Sequence, residues 1–429
     1  MTQLYITKSP KLAGKVRAPP SKAYTHRALI AALLSEGTSE IYDPLICDDT
    51  VATLEACEAF GASVKPKLNR LVVKGSSHLK TPDDVINCRE SGSTIRFMTP
   101  IASLARGITI LTGGSSLRKR PIGELLEALS KLGVKCYSTR EDGYPPVIVF
   151  GGGIRGGATS IVGHISSQYV SGLLFACPQA FEDTEIHVVT PLESKPYVEM
   201  TMKVLSAHGI QIDASQNLQK FRIPAGQMYA SSNHKIPGDY SSAAFLLAAS
   251  AITESRVELT NLSKRKAQAD VAIIQILQEM GVNIRVGENS VEINGGNCLK
   301  AISFDASAVP DLVPVCAVLA CYAKGQTRIS HAERLRIKES DRLSATRSEL
   351  TKMGANITET NDGLLIQGPS KLRGCAIDSH NDHRIAMACA VAALGAEGVT
   401  VIGNSQCINK SYPQFVQDLK TLGAKVYVK

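Results

Sequence analysis

The stretch Ala345-Thr-Arg-Ser-Glu-Leu-Thr-Lys-Met-Gly354-Ala-Asn-Ile357 reads as an amphipathic helix, a stop and the first residues of a strand. The stop is a glycine, which can take φ > 0 and so end a helix. Five other stretches carry the same pattern: Leu54 to Val64 around Gly61, Leu125 to Cys136 around Gly133, Val198 to Ile212 around Gly209, Ala272 to Ile284 around Gly281, and Phe415 to Val426 around Gly423. The glycines stand 72, 76, 72, 73 and 69 residues apart. A period of this length marks internal repeats, each one a supersecondary unit.

A second family of segments runs in phase with the first. Each opens on small polar or charged residues and continues as an Ala-rich apolar run. They begin at Ser21-Lys-Ala-Tyr-Thr-His-Arg27, Ser91-Gly-Ser-Thr-Ile-Arg96, Ser166-Ser-Gln168, Asp239-Tyr-Ser-Ser, Asp311-Leu-Val-Pro and Asn381-Asp-His-Arg384. A helix that is apolar all round is a buried helix. Its polar residues then sit at the N-terminal end, as caps or facing a ligand. β-rich stretches such as Leu71-Val-Val-Lys, Gly107 to Leu111 and Val147 to Phe150 fill the intervals. The unit is thus an α/β repeat with a buried helix and a surface helix, and six units suggest two domains of three. The polar stretch Tyr229 to Gly238 is the expected boundary. If the three buried helices of a domain bring their N-termini together, their dipoles add positive potential there, each worth about 0.3–1 kcal/mol near an anion.

Composition bounds the function. At 429 residues the chain exceeds one ordinary core, and 44% hydrophobic with 20% charged residues is normal for a globular protein. The eleven cysteines form no CxxC pair, which reads as reduced intracellular thiols and a cytoplasmic setting. Met1-Thr-Gln-Leu-Tyr-Ile has neither a charged n-region nor an apolar h-region, so no secretory leader is expected. Apolar runs such as Leu312 to Ala323 are too short to span a bilayer, so no membrane partner is expected. The net charge of +8 calls for an anionic partner, but no Lys/Arg block of five occurs, Trp is absent and Phe is sparse. That argues against a nucleic-acid stacking platform and for small anions.

Several motif matches fail on context. Gly151-Gly-Gly-Ile-Arg-Gly156 fits GxGxxG, yet no helix start follows and no acidic residue stands about 20 positions on, so it reads as a turn between strands. Ser116-x-x-Lys119 and Ser263-x-x-Lys266 fit SxxK without its companion motifs. His380-x-x-His383 lacks further ligands at metal spacing, so no metal is expected.

Arg334-Leu-Arg-Ile-Lys-Glu-Ser-Asp-Arg342 has no counterpart in the other repeats and packs six ionisable residues into nine positions. Two of its cations belong to a larger set, Lys22, Arg27, Arg96, Arg120, Lys338, Arg342, Arg384 and Lys410. Each stands beside a cap-like or glycine-containing turn rather than on a helix's polar face. Arginine suits bidentate phosphate or carboxylate contacts, and lysine a point charge. Asp311 and Glu339 fall among these cations, where carboxylates stay ionised and suit proton acceptance.

These motifs, with Leu111-Thr-Gly-Gly to Ile122, Ser194-Lys-Pro-Tyr197 and Lys410-Ser-Tyr-Pro, lie in the order and over nearly the full length of the 5-enolpyruvylshikimate-3-phosphate synthase family, which the chain closely resembles. The resemblance implies an enolpyruvyl transferase fold, an inside-out α/β barrel of two domains, each with three βαβαββ-type units. The chain crosses twice, giving domains at 18–235 and at 1–17 with 236–429, and an active site in the interdomain cleft. It implies transfer of the enolpyruvyl group of phosphoenolpyruvate to the 5-hydroxyl of shikimate 3-phosphate, with no cofactor, by a monomer. Carried over by motif, Lys22, Gly92, Ser93, Arg120, Arg342, Arg384 and Lys410 hold phosphoenolpyruvate. Lys22, Arg27, Ser166, Ser167, Gln168, Ser194, Tyr197, Asp311 and Lys338 hold shikimate 3-phosphate. Asp311 is assigned as base for the 5-hydroxyl, and Glu339, in competition with Lys22, handles the proton at C3. Closure on the substrates would exclude water. Three sites depart from the family pattern: Ala23 where serine is usual, Glu90 and Ser93 where asparagine and threonine are common, and Arg334 where some members carry asparagine. The sister enzyme acting on UDP-N-acetylglucosamine shares the fold, but its reactive loop cysteine, expected near Leu117 to Arg120, is absent. A relative that kept the fold and only binds anions is the other rival. Arg334, Arg336 and Asp341 are left to structural pairing.

Overall fold

The computed structural model describes residues 2–76, 78–263 and 268–429; the Lys266 of the second SxxK match lies outside them. The chain forms two compact units, Met1–Pro20 with Pro237–Lys429 and Ser21–Ile236. The Ser21–Ile236 unit holds helices α1 (Lys22–Leu34), α2 (Asp48–Ala59), α3 (Gly92–Ala102), α4 (Gly123–Lys131), α5 (Ser167–Ala176) and α6 (Lys195–Ala207). The other holds α7 (Tyr240–Ala251), α8 (Ala272–Glu279), α9 (Val313–Tyr322), α10 (Arg342–Lys352), α11 (His383–Gly395) and α12 (Phe415–Thr421). Each unit has its own hydrophobic core.

The odd-numbered helices are the apolar runs, and they are buried. Every residue of α7 is buried. Alanine and leucine there leave no polar face to solvate, so the helix is stable only with neighbours on all sides. Even-numbered helices bury one face. On α10 that face is Arg342, Leu343, Ala345, Thr346, Glu349 and Leu350. Gly354 follows with φ +102°, and the five counterpart glycines, 61, 133, 209, 281 and 423, also have positive φ. An L-residue there would be strained, so these positions end the helix and release the chain into a strand.

Among the described residues each unit contains three four-stranded sheets with one shared plan. In one, Ile86–Asn87 runs parallel to Ile108–Thr112, which pairs antiparallel with Val147–Phe150, and that with Cys136–Ser138. The parallel pair is joined by buried α3, which makes a βαβ crossover. The same order recurs in Gly157–Ile161, Thr184–Val188, Lys220–Ile223 and Asp213–Ala214 around α5. Where the chain passes between units the parallel strand is exchanged. Lys11–Arg17, which precedes α1, pairs with Glu254–Thr260 after α7, and His234–Lys235, which precedes α7, pairs with Thr38–Tyr42 after α1. The termini meet inside one sheet. Leu4–Thr7 lies between Val399–Gly403 and Val426–Val428, and Gln3 and Lys429 exchange backbone hydrogen bonds of 2.8 and 2.9 Å.

The GxGxxG match is a turn, as expected, between Val147–Phe150 and Gly157–Ile161. All eleven cysteines are free thiols. Among the described residues no helix is long and apolar enough to cross a membrane.

Candidate active site

In the Ser21–Ile236 unit the N-terminal turns of the three buried helices are bonded together. Ser21, Ser91 and Ser166 cap α1, α3 and α5 by accepting from Tyr24, Thr94 and Gln168 backbone N–H groups. A buried chain ties the first two: His26 Nδ1 to Thr53 Oγ1, Thr53 to Thr94, and Thr94 to Ser91, each 2.7 Å. Burial, helped by Lys22 and Arg27, keeps His26 well below its usual pKa, so the imidazole is neutral. From α3 to α5, Arg96 donates to Gln168 Oε1 at 2.9 Å and Gln168 donates to Ser93 Oγ at 2.8 Å.

The expected ligands sit on these ends. Lys22 Nζ lies 2.7 Å from Asp49 Oδ2 at the start of α2. Arg27 donates to Thr201 Oγ1, the Ala23 carbonyl and the Tyr197 carbonyl at 2.8, 2.9 and 3.0 Å, so α6 steers it. Burial brings its pKa down to about 10, still a cation at neutral pH. Ser167 opens α5, and Ser194, with φ 51°, stands before α6 three residues ahead of Tyr197. At Gly92 an added Cβ would fall 3.0 Å from Arg120 and 3.4 Å from Arg96 guanidinium nitrogens. A side chain there would displace Arg120, which gives Gly92 a physical reason to be glycine.

In the other unit the expected cations and carboxylates form one cluster. Arg342, the first residue of α10 and 1% exposed, is held by three carboxylates. Its Nε meets Asp382 Oδ2 at 2.7 Å, one terminal nitrogen meets Asp311 Oδ1 at 2.8 Å, and the other meets Glu339 Oε2 at 2.6 Å and Asp382 Oδ1 at 3.3 Å. Arg384, in the first turn of α11, reaches the other Asp311 oxygen at 3.0 Å and the Asp311 carbonyl at 3.1 Å. Burial alone would raise the Asp311 pKa, but Arg384, Arg342 and Lys338 outweigh it and hold the carboxyl well below the usual range. Burial pushes Lys338 the other way, down to about 7, against the pull of Asp311. Lys410 Nζ donates to the Asn381 carbonyl at 2.8 Å, beside the α11 cap. Asp239 caps α7 and Asp382 caps α11.

Chemically, this arrangement is suited to stabilising anions and moving protons. Ionised carboxylates that accept from arginines become bases when those arginines turn to a substrate anion. The motif reading left some members of the cluster without a role. Asp382 lies inside the Asn381-Asp-His-Arg384 motif, yet it is the residue that chelates Arg342. Asp270 had no signal at all. It is buried, accepts from Ser241 Oγ, and is pushed up to about 7 by burial and the charge of Asp311. Asp49 had only the weak signal of an acidic first turn. Arg336 pairs with Asp341 at 3.0 Å and with Glu359 at 2.6 Å, and Arg334 donates to the Ser307 carbonyl, so these residues do pair structurally.

The family model described as EPSP synthase (3-phosphoshikimate 1-carboxyvinyltransferase) matches residues 6–419. The chain belongs to the EPSP synthase family. A 3-phosphoshikimate 1-carboxyvinyltransferase from Methanocaldococcus jannaschii is 43% identical over all of both chains. One from Methanocella arvoryzae is 47% identical over 97% of each. Among solved structures, the EPSP synthase from Acinetobacter baumannii superposes with a TM-score of 0.84 over the full length of both chains at 29% identity. That likeness bears out the expected enolpyruvyl transferase fold.

Within this EPSP synthase family frame the departure at Glu90 has a local cause. Its carboxylate accepts the backbone N–H of Leu117 at 2.8 Å and of Ser116 at 3.4 Å. It therefore caps the short helical turn Leu117–Lys119 that leads into Arg120. A Cβ on Gly114 would fall 2.0 Å from Glu90 Oε1, so a side chain there would push the carboxylate out of its present position.

Proposed function

We propose that this chain transfers the enolpyruvyl group of phosphoenolpyruvate to the 5-hydroxyl of shikimate 3-phosphate and releases phosphate. The observation that carries the reading is Asp311, held ionised between Arg342 and Arg384 with Glu339 on the same guanidinium. Phosphoenolpyruvate and shikimate 3-phosphate bind through the residues expected for each. Lys22, Arg120, Arg342, Arg384 and Lys410 neutralise the phosphate and carboxylate of the first. Arg27, Ser166, Ser167, Gln168, Ser194, Tyr197 and Lys338 hold the second.

The steps balance without a cofactor. Glu339, which must enter this step in its protonated form, or Lys22 as the other candidate, delivers a proton to C3, which leaves cationic character at C2. The 5-hydroxyl oxygen bonds to C2 and its proton passes to Asp311, giving a tetrahedral ketal phosphate. C3 then returns its proton to the group that supplied it, the C2–phosphate oxygen bond breaks, and the phosphate departs against the cations, taking up the proton held by Asp311. Asp311 begins as a weak base because both oxygens face arginines. Its basicity rises as Arg342 and Arg384 engage the anionic groups of phosphoenolpyruvate.

Phosphate release measured with phosphoenolpyruvate plus shikimate 3-phosphate, and separately with UDP-N-acetylglucosamine as acceptor, tests the assignment. Release with shikimate 3-phosphate alone is expected. Release only with the nucleotide sugar, or binding of shikimate 3-phosphate without any release, overturns it.

The Lys338 ammonium predicts a pH limb. Its charge in the free protein is present below about 7 and lost above it. The kcat/KM for shikimate 3-phosphate, which reports the free enzyme, is therefore expected to fall as pH rises through that value. Lys338→Met should lower kcat/KM and abolish this limb. A limb that survives the substitution belongs to another group.

A further inference from the structure

We propose that Glu349 is a positioning residue for phosphoenolpyruvate binding, setting the turn that carries Asp382 and Arg384. The inference rests on the reading that Arg384 and Lys410 hold that substrate.

Glu349 lies seven residues after Arg342 on α10, two turns along the same face, and its side chain is inaccessible. Such a carboxylate needs partners, and four groups supply them, one being its neighbour Ser348, whose Oγ donates to Oε1 at 3.3 Å. Lys352 Nζ, itself 46% exposed, lies 2.7 and 2.8 Å from its two oxygens. His380 Nε2 lies 3.0 Å from Oε1, and the Asp378 backbone N–H donates to Oε2 at 3.0 Å. Two of the four partners, Asp378 and His380, therefore belong to the segment that enters α11.

That segment has an unusual backbone. His380 and Asn381 both have φ 52°, two consecutive left-handed residues without a glycine. Such a conformation persists when its surroundings over-determine it. Here Asp378 Oδ1 accepts the His380 N–H at 2.8 Å, Ser379 C=O accepts the Asp382 N–H at 2.9 Å, and Lys410 binds the Asn381 carbonyl at 2.8 Å. Helix α10 grips the segment at two points. Arg342 and Ser340 hold Asp382 at its end, and Glu349 holds Asp378 and His380 at its start. Loosening the second grip frees the left-handed pair to relax. Asp382, the Asn381 carbonyl and Arg384 would then shift together, which moves binding groups without touching substrate.

Glu349→Ala, Glu349→Gln, His380→Asn and Lys352→Met test this. Asparagine tolerates the left-handed region, so His380→Asn removes the ring contact and keeps the backbone possible. Glu349→Ala is expected to raise KM for phosphoenolpyruvate about tenfold while kcat at saturation and KM for shikimate 3-phosphate change less than about threefold. Glu349→Gln, which keeps an acceptor for the Asp378 N–H, should recover part of that loss, and His380→Asn should shift KM in the same direction. Lys352→Met, which leaves the turn contacts in place, should leave KM unchanged and at most lower the melting temperature. If KM for phosphoenolpyruvate stays within about twofold of the native value in Glu349→Ala and His380→Asn, the role is structural and the proposal fails. The same follows if Lys352→Met shifts KM as much as Glu349→Ala. Native turnover decides the proposed function separately, since the inference is read only from the ratio of variant to native KM.

Discussion

Replacing Asp311 by asparagine is expected to lower kcat by about 10²–10⁴, the range for removal of a general base. The amide keeps the shape and one acceptor but cannot take the proton of the attacking hydroxyl. Arg342 retains Asp382 and Glu339 as partners, so the fold survives. Stability should nonetheless respond to pH with a definite sign. The folded pKa of Asp311 lies below its unfolded value, so its charge contributes stability above the unfolded value, and that contribution is lost as pH falls through the folded one. The variant should therefore melt lower than the native protein near pH 7, with the gap closing in acid. Phosphate release at saturating substrates, together with calorimetric binding of shikimate 3-phosphate, separates chemistry from binding. A kcat within tenfold of native would remove Asp311 as the base.

Arg342→Met is expected to destabilise the protein by about 3–5 kcal/mol at neutral pH, the cost typical of breaking a buried ion pair from one side. Methionine fills much of the space, so the cost is electrostatic. Asp311 and Asp382, with Glu339 beside them, would be left facing one another without the guanidinium that neutralises them. Carboxylates that share a site favour protonation. The variant should regain part of its deficit as pH is lowered, while the native protein loses the Asp311 contribution. Denaturant unfolding at neutral and mildly acidic pH reads both effects. A midpoint equal to native at neutral pH would mean that Arg342 does not neutralise the cluster. Under the proposed function turnover should also be lost, because Arg342 orders the two carboxylates assigned to proton transfer and is itself assigned to the phosphoenolpyruvate anion.

Much of the fold was legible because it is written locally and six times over. A glycine that must take positive φ follows each amphipathic run, and each buried helix announces itself by having no polar face. Serine and aspartate before those runs are caps in five of the six cases. The exception is α9, which enters from the turn Pro310–Leu312, and that is how Asp311 comes to be free for the two arginines. Strand exchange was not readable from periodicity, since the pairing partners Lys11 and Glu254 lie 243 residues apart and Ile41 and His234 lie 193 apart; the family resemblance supplied it.

The site was legible in part. Lys22, Arg27, Arg120, Lys338, Arg342, Arg384 and Lys410 announced themselves by lying in phase with the repeats. Asp49 and Asp382, which pair with Lys22 and Arg342, did not. Asp270 is one aspartate among many in sequence, and only the packing of its turn against α7 buries it. Glu349 reads as an ordinary charge on a surface helix, and Glu90 as a departure from a pattern. Both turn out to hold backbone N–H groups.

Sequence alone thus determined what the chain could be: six α/β repeats, two groups of three, an excess of cations at helix N-termini, and a family. Those properties follow from local propensity, hydropathy period and residue chemistry, which travel with the chain. Tertiary structure alone decided which carboxylate meets which cation. Hydrogen bonds act over about 3 Å, and neighbours at that range come from segments tens to hundreds of residues apart. That is why Arg342, Asp311 and Glu339 could each be named as candidates from sequence, while their pairing, and the part Asp382 plays in it, could not.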